Sequence, residues 1–507
     1  MKQILVSLIF VFSCLSLCAQ RKIVVRDAGS LLPISNARIV FDDGNKALTN
    51  AKGECIVPST KKVATVWGNH YWEKNAKYET LGAAILLQPV KNRVVVTTDM
   101  GSYEPDDHQS LIHLLSCANI IDIEGIISNL AWDHRCQYLS SIQNVLDIYG
   151  KVVNKFRLHG DNYPSAEYLH SITRYGQSFP GMKGIGENKD TEGSELIISI
   201  VDKEDDVRPV WLTAWGGMGT IAQAIWKVSQ TRTQEEINRF LNKIRIYDIL
   251  GQDDCGAWIA KTFPQITYIR AKNVYGWEPE NSWLAINIMS QGEFGKDYPA
   301  KVWATEGDSP AFLYLLSNGL NAPEHLDWGS WGSRFSQTKT EGIRGMQFVA
   351  KEGQHEEYFD PYFMHTETEE GIEAINLWQT HILNDFSGRM RWSNSDSYND
   401  CNHHPLVALN GDISPQYLDF YGSAGQTISL DASGSTDPDG DELKYEWMYY
   451  KEPSKYSGEL SMNVNGTKCE ITIPTGKSGD TIHIILIVTD NGNPALTSYR
   501  RAVITIK

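Results

Sequence analysis

Basic residues are scarce in this chain. Lys and Arg total 46 against 62 Asp and Glu, a formal net charge of -16. Phosphate contacts need clustered Lys and Arg. Here the basic runs are short pairs such as Lys61-Lys62 and Arg500-Arg501, which argues against a nucleic-acid polymer as partner. Long apolar runs are also missing: past the N-terminal segment no stretch reaches the ~18 apolar residues that span a bilayer. No transmembrane helix is expected. Cysteine is sparse and irregularly spaced, with no C-x-x-C pair and no zinc spacing. After residue 19 it occurs at Cys55, Cys117, Cys136, Cys255, Cys401 and Cys469. Cys117 and Cys136 sit in amphipathic helical patterns and read as small core residues.

The first 19 residues have the make-up of an export signal. Lys2 supplies the positive start, Ile4 to Phe12 the apolar stretch, and cleavage fits between Ala19 and Gln20. A lipoprotein reading fits less well, because Leu17 precedes Cys18 where a small residue belongs. A periplasmic or secreted location is expected. Export permits a disulfide, but the sequence names no pair.

The remaining chain changes character twice. Residues 20–91 carry short strand patterns separated by turns such as Asp42-Asp43-Gly44-Asn45 and Asn50-Ala51-Lys52-Gly53. Residues 92–400 alternate strands with helices, which implies βαβ units and a mostly parallel sheet. The expected strands are 94–98, 121–128, 157–159, 209–213, 244–250, 266–270 and 301–305. The expected helices are 106–116, 134–149, 218–229 and 257–263. Residues 401–507 return to all-β. The fold class is therefore multidomain: a central α/β domain flanked by two β-sandwich domains.

The most informative stretch is Val94-Val95-Val96-Thr97-Thr98-Asp99-Met100-Gly101-Ser102-Tyr103-Glu104-Pro105-Asp106-Asp107. A buried strand ends in an acid, and an acid pair opens a helix. Three carboxylates on one short loop repel each other unless a cation sits among them, and oxygen ligands suit Ca²⁺ or Mg²⁺. A plain helix start explains the pair, with Asp106 as N-cap and Asp107 favouring the dipole, but leaves Asp99 unexplained.

Ligands of an open parallel sheet bind beyond the carboxyl ends of its strands. The polar groups expected there are Asp99, Ser128-Asn129, Gly160-Asp161, Trp215-Gly216-Gly217, Gln252-Asp253-Asp254 and Glu306-Gly307-Asp308. Any single one also reads as a loop residue or cap. The middle domain holds many Trp residues, Trp132, Trp215, Trp258, Trp277, Trp283, Trp328 and Trp331 among them. Aromatic faces suit sugar stacking as well as ordinary packing. The insert Asn273 to Pro299 is the candidate substrate-shaping loop.

The strand–Asp–loop–Asp-Asp stretch resembles the signature of the nucleoside hydrolase superfamily. Six residues separate Asp99 from Asp106, more than in true nucleoside hydrolases, and Thr97 stands where their first Asp belongs. Gln252-Asp253-Asp254-Cys255-Gly256, Asn318-Gly319-Leu320 and Trp328-Gly329-Ser330-Trp331-Gly332 resemble a divergent bacterial branch, the nucleoside hydrolase-like family described as cellulose-binding. The resemblance implies a Ca²⁺ held by Asp99, Asp106, Asp107 and Asp308 with a carbonyl from Gly219, and Asp99 as general base. It implies Asn129 on a sugar hydroxyl; Trp215, Asp253 and Glu306 are further candidate substrate contacts. His108, His134, Asp253 and Glu306 are candidate proton donors. The family's usual histidine beside the late Asp is replaced by Gly307. Two functions follow: a Ca²⁺-dependent hydrolase of an N- or O-glycosidic bond, or a non-catalytic binder of a cellulose-like polysaccharide. Either way the partner is a sugar-containing small molecule or polysaccharide. Pro33, Ala37 to Val40, Thr49 and Gly53 resemble a carboxypeptidase regulatory-like β-sandwich. The loop Asp431 to Asp441 resembles that of PKD-type immunoglobulin-like domains. There Asp437, Asp439 and Asp441 suit either Ca²⁺ or a tight turn made by Pro438 and Gly440, and the turn is favoured.

Overall fold

The computed structural model describes residues 20–75, 84–101, 105–130, 137–302, 305–339 and 362–507. The expected export signal, Trp132, His134 and Cys136 lie outside the described residues. The chain divides into two compact units, one ending at Pro89 and one running from Val90 to Lys507.

The first unit is sheet-rich. Its strands are β1 (Gln20–Asp27), β2 (Arg38–Phe41), β3 (Lys46–Leu48), β4 (Glu54–Pro58), β5 (Val63–Trp67), β6 (Lys74–Asn75) and β7 (Ile85–Leu87). They form two sheets, ordered β4-β1-β7 and β3-β2-β5-β6.

The second unit is built on an eight-stranded sheet. Its strands are β8 (Arg93–Thr98), β9 (Asp122–Ser128), β10 (Thr173–Tyr175), β11 (Val210–Ala214), β12 (Ile244–Ile249), β13 (Thr267–Ala271), β14 (Phe335–Lys339) and β15 (Phe363–Glu367), in the order β10-β9-β8-β11-β12-β13-β15-β14. Every pairing is parallel except β14 with β15. The valine run of β8 shows why. Val94 and Val96 enter one core and Val95 the core on the opposite face. Alternate side chains of a strand point to opposite faces, so a strand apolar at every position must be covered on both.

Helices supply that cover: α1 (Asp106–Ser116), α2 (Leu139–His159), α3 (Glu192–Val201), α4 (Gly219–Thr231), α5 (Gln234–Asn242), α6 (Asp254–Thr262) and α7 (Gln379–Trp392). The strand expected at 157–159 is instead the last turn of α2. Ile142, Val145, Leu146, Tyr149, Val152, Val153 and Phe156 are buried along α2 at helical spacing, and that period outweighs the short Arg157–His159 run. Gly160-Asp161 therefore follows a helix, not a strand. The described residues Lys301, Val302 and Thr305 form no strand either.

Residues 418–506 add β16 (Leu418–Gly422), β17 (Thr427–Asp431), β18 (Lys444–Tyr450), β19 (Ser461–Asn465), β20 (Lys468–Thr472), β21 (Thr481–Thr489) and β22 (Thr497–Ile506), in sheets ordered β16-β22-β21-β18 and β17-β20-β19. This sheet-rich region packs continuously on the α/β part: Tyr450, Ile485, Ile487 and Tyr499 belong to the same apolar core as Val94. Arg501, fully buried, donates to the carbonyls of Leu320 (2.9 and 3.1 Å) and Gly329 (3.0 Å). Asp437 accepts from the backbone N–H groups of Asp439 (2.8 Å) and Asp441 (3.0 Å), a hydrogen-bonded turn in which carboxylate oxygens of Asp437, Asp439 and Asp441 also lie within 4.8 Å of one another. The five described cysteines are free thiols, and no described helix is long and apolar enough to cross a membrane.

Replacing Arg501 with Met should leave the Leu320 and Gly329 carbonyls buried without donors. Unsatisfied buried groups cost about 1–3 kcal/mol each, so urea unfolding should show a loss of about 3 kcal/mol. An unchanged midpoint would mean that this contact does not hold the two regions together.

Candidate functional site

Parallel register brings the carboxyl ends of β8, β9 and β11 level: Thr98 pairs with Ser128, and Thr97 with Ala214. Asp99, Asn129 and Trp215 therefore leave the sheet side by side. Backbone bonds continue the ladder past the strands, from Asn129 N–H to the Thr98 carbonyl and from Trp215 N–H to the Thr97 carbonyl, both 2.8 Å.

Asp106 and Asp107 occupy the first turn of α1, and Pro105 holds the N-cap position with no side-chain cap. Asp106 is thus inside the helix rather than capping it. Asp308 stands at the start of the short helix Ser309–Leu313. Oxygens of Asp106, Asp107 and Asp308 all lie within 4.8 Å of one another, and all three residues are buried. Asp99 is also buried but is not part of that group. Gly216 lies against it: a Cβ at 216 would fall 2.7 Å from the Asp99 carboxyl carbon.

Outer groups orient the cluster. Thr98 donates its hydroxyl to Asp107, and Tyr275 donates to Asp106 at 2.9 Å. Such partners fix the direction of metal-ligating carboxylates. Tyr275 belongs to the 273–299 insert, so that insert does reach the acids. It also explains Gly307. A Cβ there would lie 2.3 Å from the Tyr275 ring and 2.7 Å from Asp106 Oδ2, so the place of the expected histidine is filled.

The all-oxygen set fits a hard divalent cation. Three buried carboxylates so close together need positive charge or protons among them. Gly219 is the first residue of α4. A second acidic group, Asp253, Asp254 and Cys255, opens α6. There Asp253 caps the helix through Cys255 N–H (2.9 Å) and holds Met218 N–H (2.9 Å), which fixes the 215–219 loop. Burial pushes the Asp253 carboxyl up to about 7, and neighbouring Asp254 adds to the rise.

The other expected substrate contacts are buried, and among their side chains Asn129 and Glu306 are hydrogen-bonded to the protein while the Trp215 indole N–H is not, among the described residues. Asn129 donates to the Gly217 carbonyl and accepts from Thr220 Oγ1 at 2.9 Å. Trp215 is packed beside Phe312. Glu306 accepts from Tyr298 (2.6 Å), Ser309 and His113 (2.9 Å). His108 faces Asp297 at 2.9 Å. Sequence reasoning missed Thr98, Tyr275 and His113 as supports. The insert was singled out, but nothing in it marked Tyr275.

Comparison with known proteins bears on this geometry. The family model for the cellulose-binding Sde182 nucleoside hydrolase-like domain matches residues 93–335, and that for the C-terminal domain of cellulose-binding protein Sde0182 matches residues 427–506. The solved structure of a nucleoside hydrolase-related hypothetical protein from Saccharophagus degradans, described as associated with carbohydrate metabolism, is 45% identical with a TM-score of 0.78. The match covers 82% of this chain and 100% of that one. The chain belongs to the Sde182 nucleoside hydrolase-like family. Titin domain M7 matches at 13% identity over 20% of this chain and 94% of that chain, with a TM-score of 0.14. No curated protein matches.

His113 gives this family member a pH signature. Burial pushes its imidazole down, but the Glu306 carboxylate outweighs that and leaves the pKa raised from 6.5 to about 9. A raised folded-state value means stability that is fully present below pH 6.5 and lost as pH rises through about 9. Unfolding measured across that window should show the loss in the native chain and not in His113→Gln. A parallel decline in both would remove His113 as its source.

Proposed function

We propose that this chain is an exported, Ca²⁺-dependent hydrolase of an N- or O-glycosidic bond. The observation that carries the reading is the buried oxygen cluster of Asp106, Asp107 and Asp308 at the carboxyl edge of the sheet. In this reading those three carboxylates and the Gly219 carbonyl hold the cation. When bound, the cation lowers the pKa of a water and fixes sugar hydroxyls. Asp99, adjacent to the cluster but outside it, takes the proton from the attacking water as general base. Gly216 leaves room for that carboxylate, and Thr98 and Tyr275 keep the ligand carboxylates aimed. Asn129 still has one amide hydrogen for a sugar hydroxyl beyond the one given to Gly217. Trp215, Asp253 and Glu306 shape the substrate side, Asp253 by pinning the 215–219 loop.

Buried carboxylates stabilise the positive charge that develops at the anomeric carbon. The leaving group needs a donor or must leave unaided, because Gly307 supplies none. The export signal, the carboxypeptidase regulatory-like module and the immunoglobulin-like character of residues 401–507 complete a periplasmic or secreted protein.

Gly307 favours a second reading, a non-catalytic binder of cellulose-like polysaccharide. Its family carries "cellulose-binding" in its name.

Separate variants divide the roles. Asp308→Asn should lose the bound cation and all turnover on a panel of nucleosides and aryl glycosides. Asp99→Asn should keep the cation and lose turnover by about 10²–10⁴-fold, the usual size of a general-base contribution. A native chain that binds Ca²⁺ but turns over nothing in the panel would favour the binding reading.

A further inference from the structure

Three segments of the second unit meet at the Asp-rich turn before β18: the turn itself, residues 437–441; the linker residues Asn402 and His403 after α7; and Asp490, which follows β21. Oxygens of Asp437, Asp439 and Asp441 lie within 4.8 Å of one another. Hydrogen bonds account for part of this. Asp437 Oδ1 takes the N–H groups of Asp439 and Asp441. Asp439 takes the His403 backbone N–H at 2.7 Å and faces His403 Nδ1 at 2.9 Å. Neither contact gives a reason for the Asp441 carboxylate to crowd the same spot, where like charges repel.

A fourth carboxylate supplies an independent mark. Asp490 is 4% exposed. Its Oδ1 accepts from Asn402 Nδ2, Gly492 N–H and Leu496 N–H, all at 2.9 Å. Its Oδ2 is buried with no donor among the described residues, and so is Asp437 Oδ2. The chain turns Asp490 towards the other three. Asn491 beside it accepts from Glu442 N–H at 3.0 Å. Consecutive linker residues bond the two sides, Asn402 to Asp490 and His403 to Asp439. Burial pushes the Asp490 carboxyl up, and the Asp437 carboxylate adds to the rise. Asn402 Oδ1 also lacks a donor. It lies against Gly492, where a Cβ would fall 2.4 Å from it, and no ligand role is assigned to it.

Buried oxygens without donors suit a cation. Ca²⁺ sits about 2.3–2.6 Å from its oxygen ligands, nearer than the ~2.8 Å at which a water bonds. Oxygens packed around such a centre are closed to solvent without being closed to the ion. Opposite ligands of one ion stand up to about 5 Å apart, so Asp490 can complete the group of three without belonging to it. Asp439 is exposed and Asp441 half-buried, which leaves a route from solvent and room for water ligands. Among the described residues the only basic side chain paired with any of the four is His403, on Asp439. Mg²⁺ demands near-ideal octahedral geometry, whereas Ca²⁺ accepts the irregular set that three separate segments provide.

We infer that Asp437, Asp439, Asp441 and Asp490 form a structural Ca²⁺ site that ties the linker after α7 to the C-terminal sheets. The ion holds the 437–441 turn to the end of β21. Through Asn402 and His403 it fixes where the linker enters those sheets. The site stands whether or not Asp106, Asp107 and Asp308 bind an ion of their own.

Calorimetric titration of the full chain carrying Asp308→Asn with Ca²⁺ tests this, because that substitution disables the other acid cluster. The chain should still bind one Ca²⁺, with a Kd of about 10⁻³ M or tighter, as extracellular modules do, and Ca²⁺ should raise its Tm. Adding Asp490→Asn, which keeps Oδ1 for its three donors, should weaken that binding at least tenfold. Adding Asp441→Asn should do the same and leave the Ca²⁺-free Tm unchanged or higher, since a repelling charge is gone. The inference is overturned if Asp308→Asn binds no Ca²⁺, if the added substitutions leave its affinity unchanged, or if Mg²⁺ binds as tightly. A native chain that binds one more Ca²⁺ than Asp308→Asn supports the other cluster as well; equal counts remove that cluster and leave this site standing.

Discussion

Mutual repulsion among buried carboxylates is the constraint around which the central sheet is arranged. Asp106, Asp107 and Asp308 come from two separated segments, and their oxygens meet within 4.8 Å. Hydrophobic burial alone would never choose that arrangement, because each buried carboxylate loses its hydration. The surrounding residues act against the strain. Thr98 and Tyr275 donate hydroxyls, the α1 N-terminus adds a favourable dipole, and a bound cation would supply the rest. The glycines follow from the same crowding: Gly216 and Gly307 lie where a side chain would strike Asp99 or Asp106.

Around that edge, other buried polar groups serve as fasteners. His113 and Glu306 join α1 to the segment that carries Asp308. Asp253 joins α6 to the 215–219 loop. Both pairs span long stretches of sequence, so the positions of the ligands depend on tertiary structure far from the acids. At the other end of the unit, Arg501 and the core shared by Tyr450 and Tyr499 weld the C-terminal sheets to the α/β part. A cavity of about 390 Å³ opens at that junction.

Much of this was legible in the sequence, and the rest shows where local pattern stops. The β8 strand and α1 stand out because their apolar periods are unbroken, and α1 runs over the expected 106–116. The strand-end rule fits Asp99, Asn129, Trp215 and Asp253, which follow β8, β9, β11 and β12, but not Asp308, which precedes a short helix and follows no strand among the described residues. The 157–159 segment misled, since three residues cannot reveal that a helical period continues through them. Helices α3 and α5 lie outside the expected helices, yet both open on a capping box, Thr191 with Ser194 and Thr233 with Glu236. Tyr275 was invisible for a different reason: it meets Asp106 across 169 residues, and no local period encodes such a contact. Gly307 was visible as a missing histidine, but the steric cause lay in Tyr275.

A crystal grown in Ca²⁺, with anomalous differences recorded, tests the central claim most directly. The account predicts one strong peak at about 2.3–2.6 Å from oxygens of Asp106, Asp107 and Asp308. A cluster that holds no ion at saturating Ca²⁺, its carboxylates bonded to one another through protons, would contradict it.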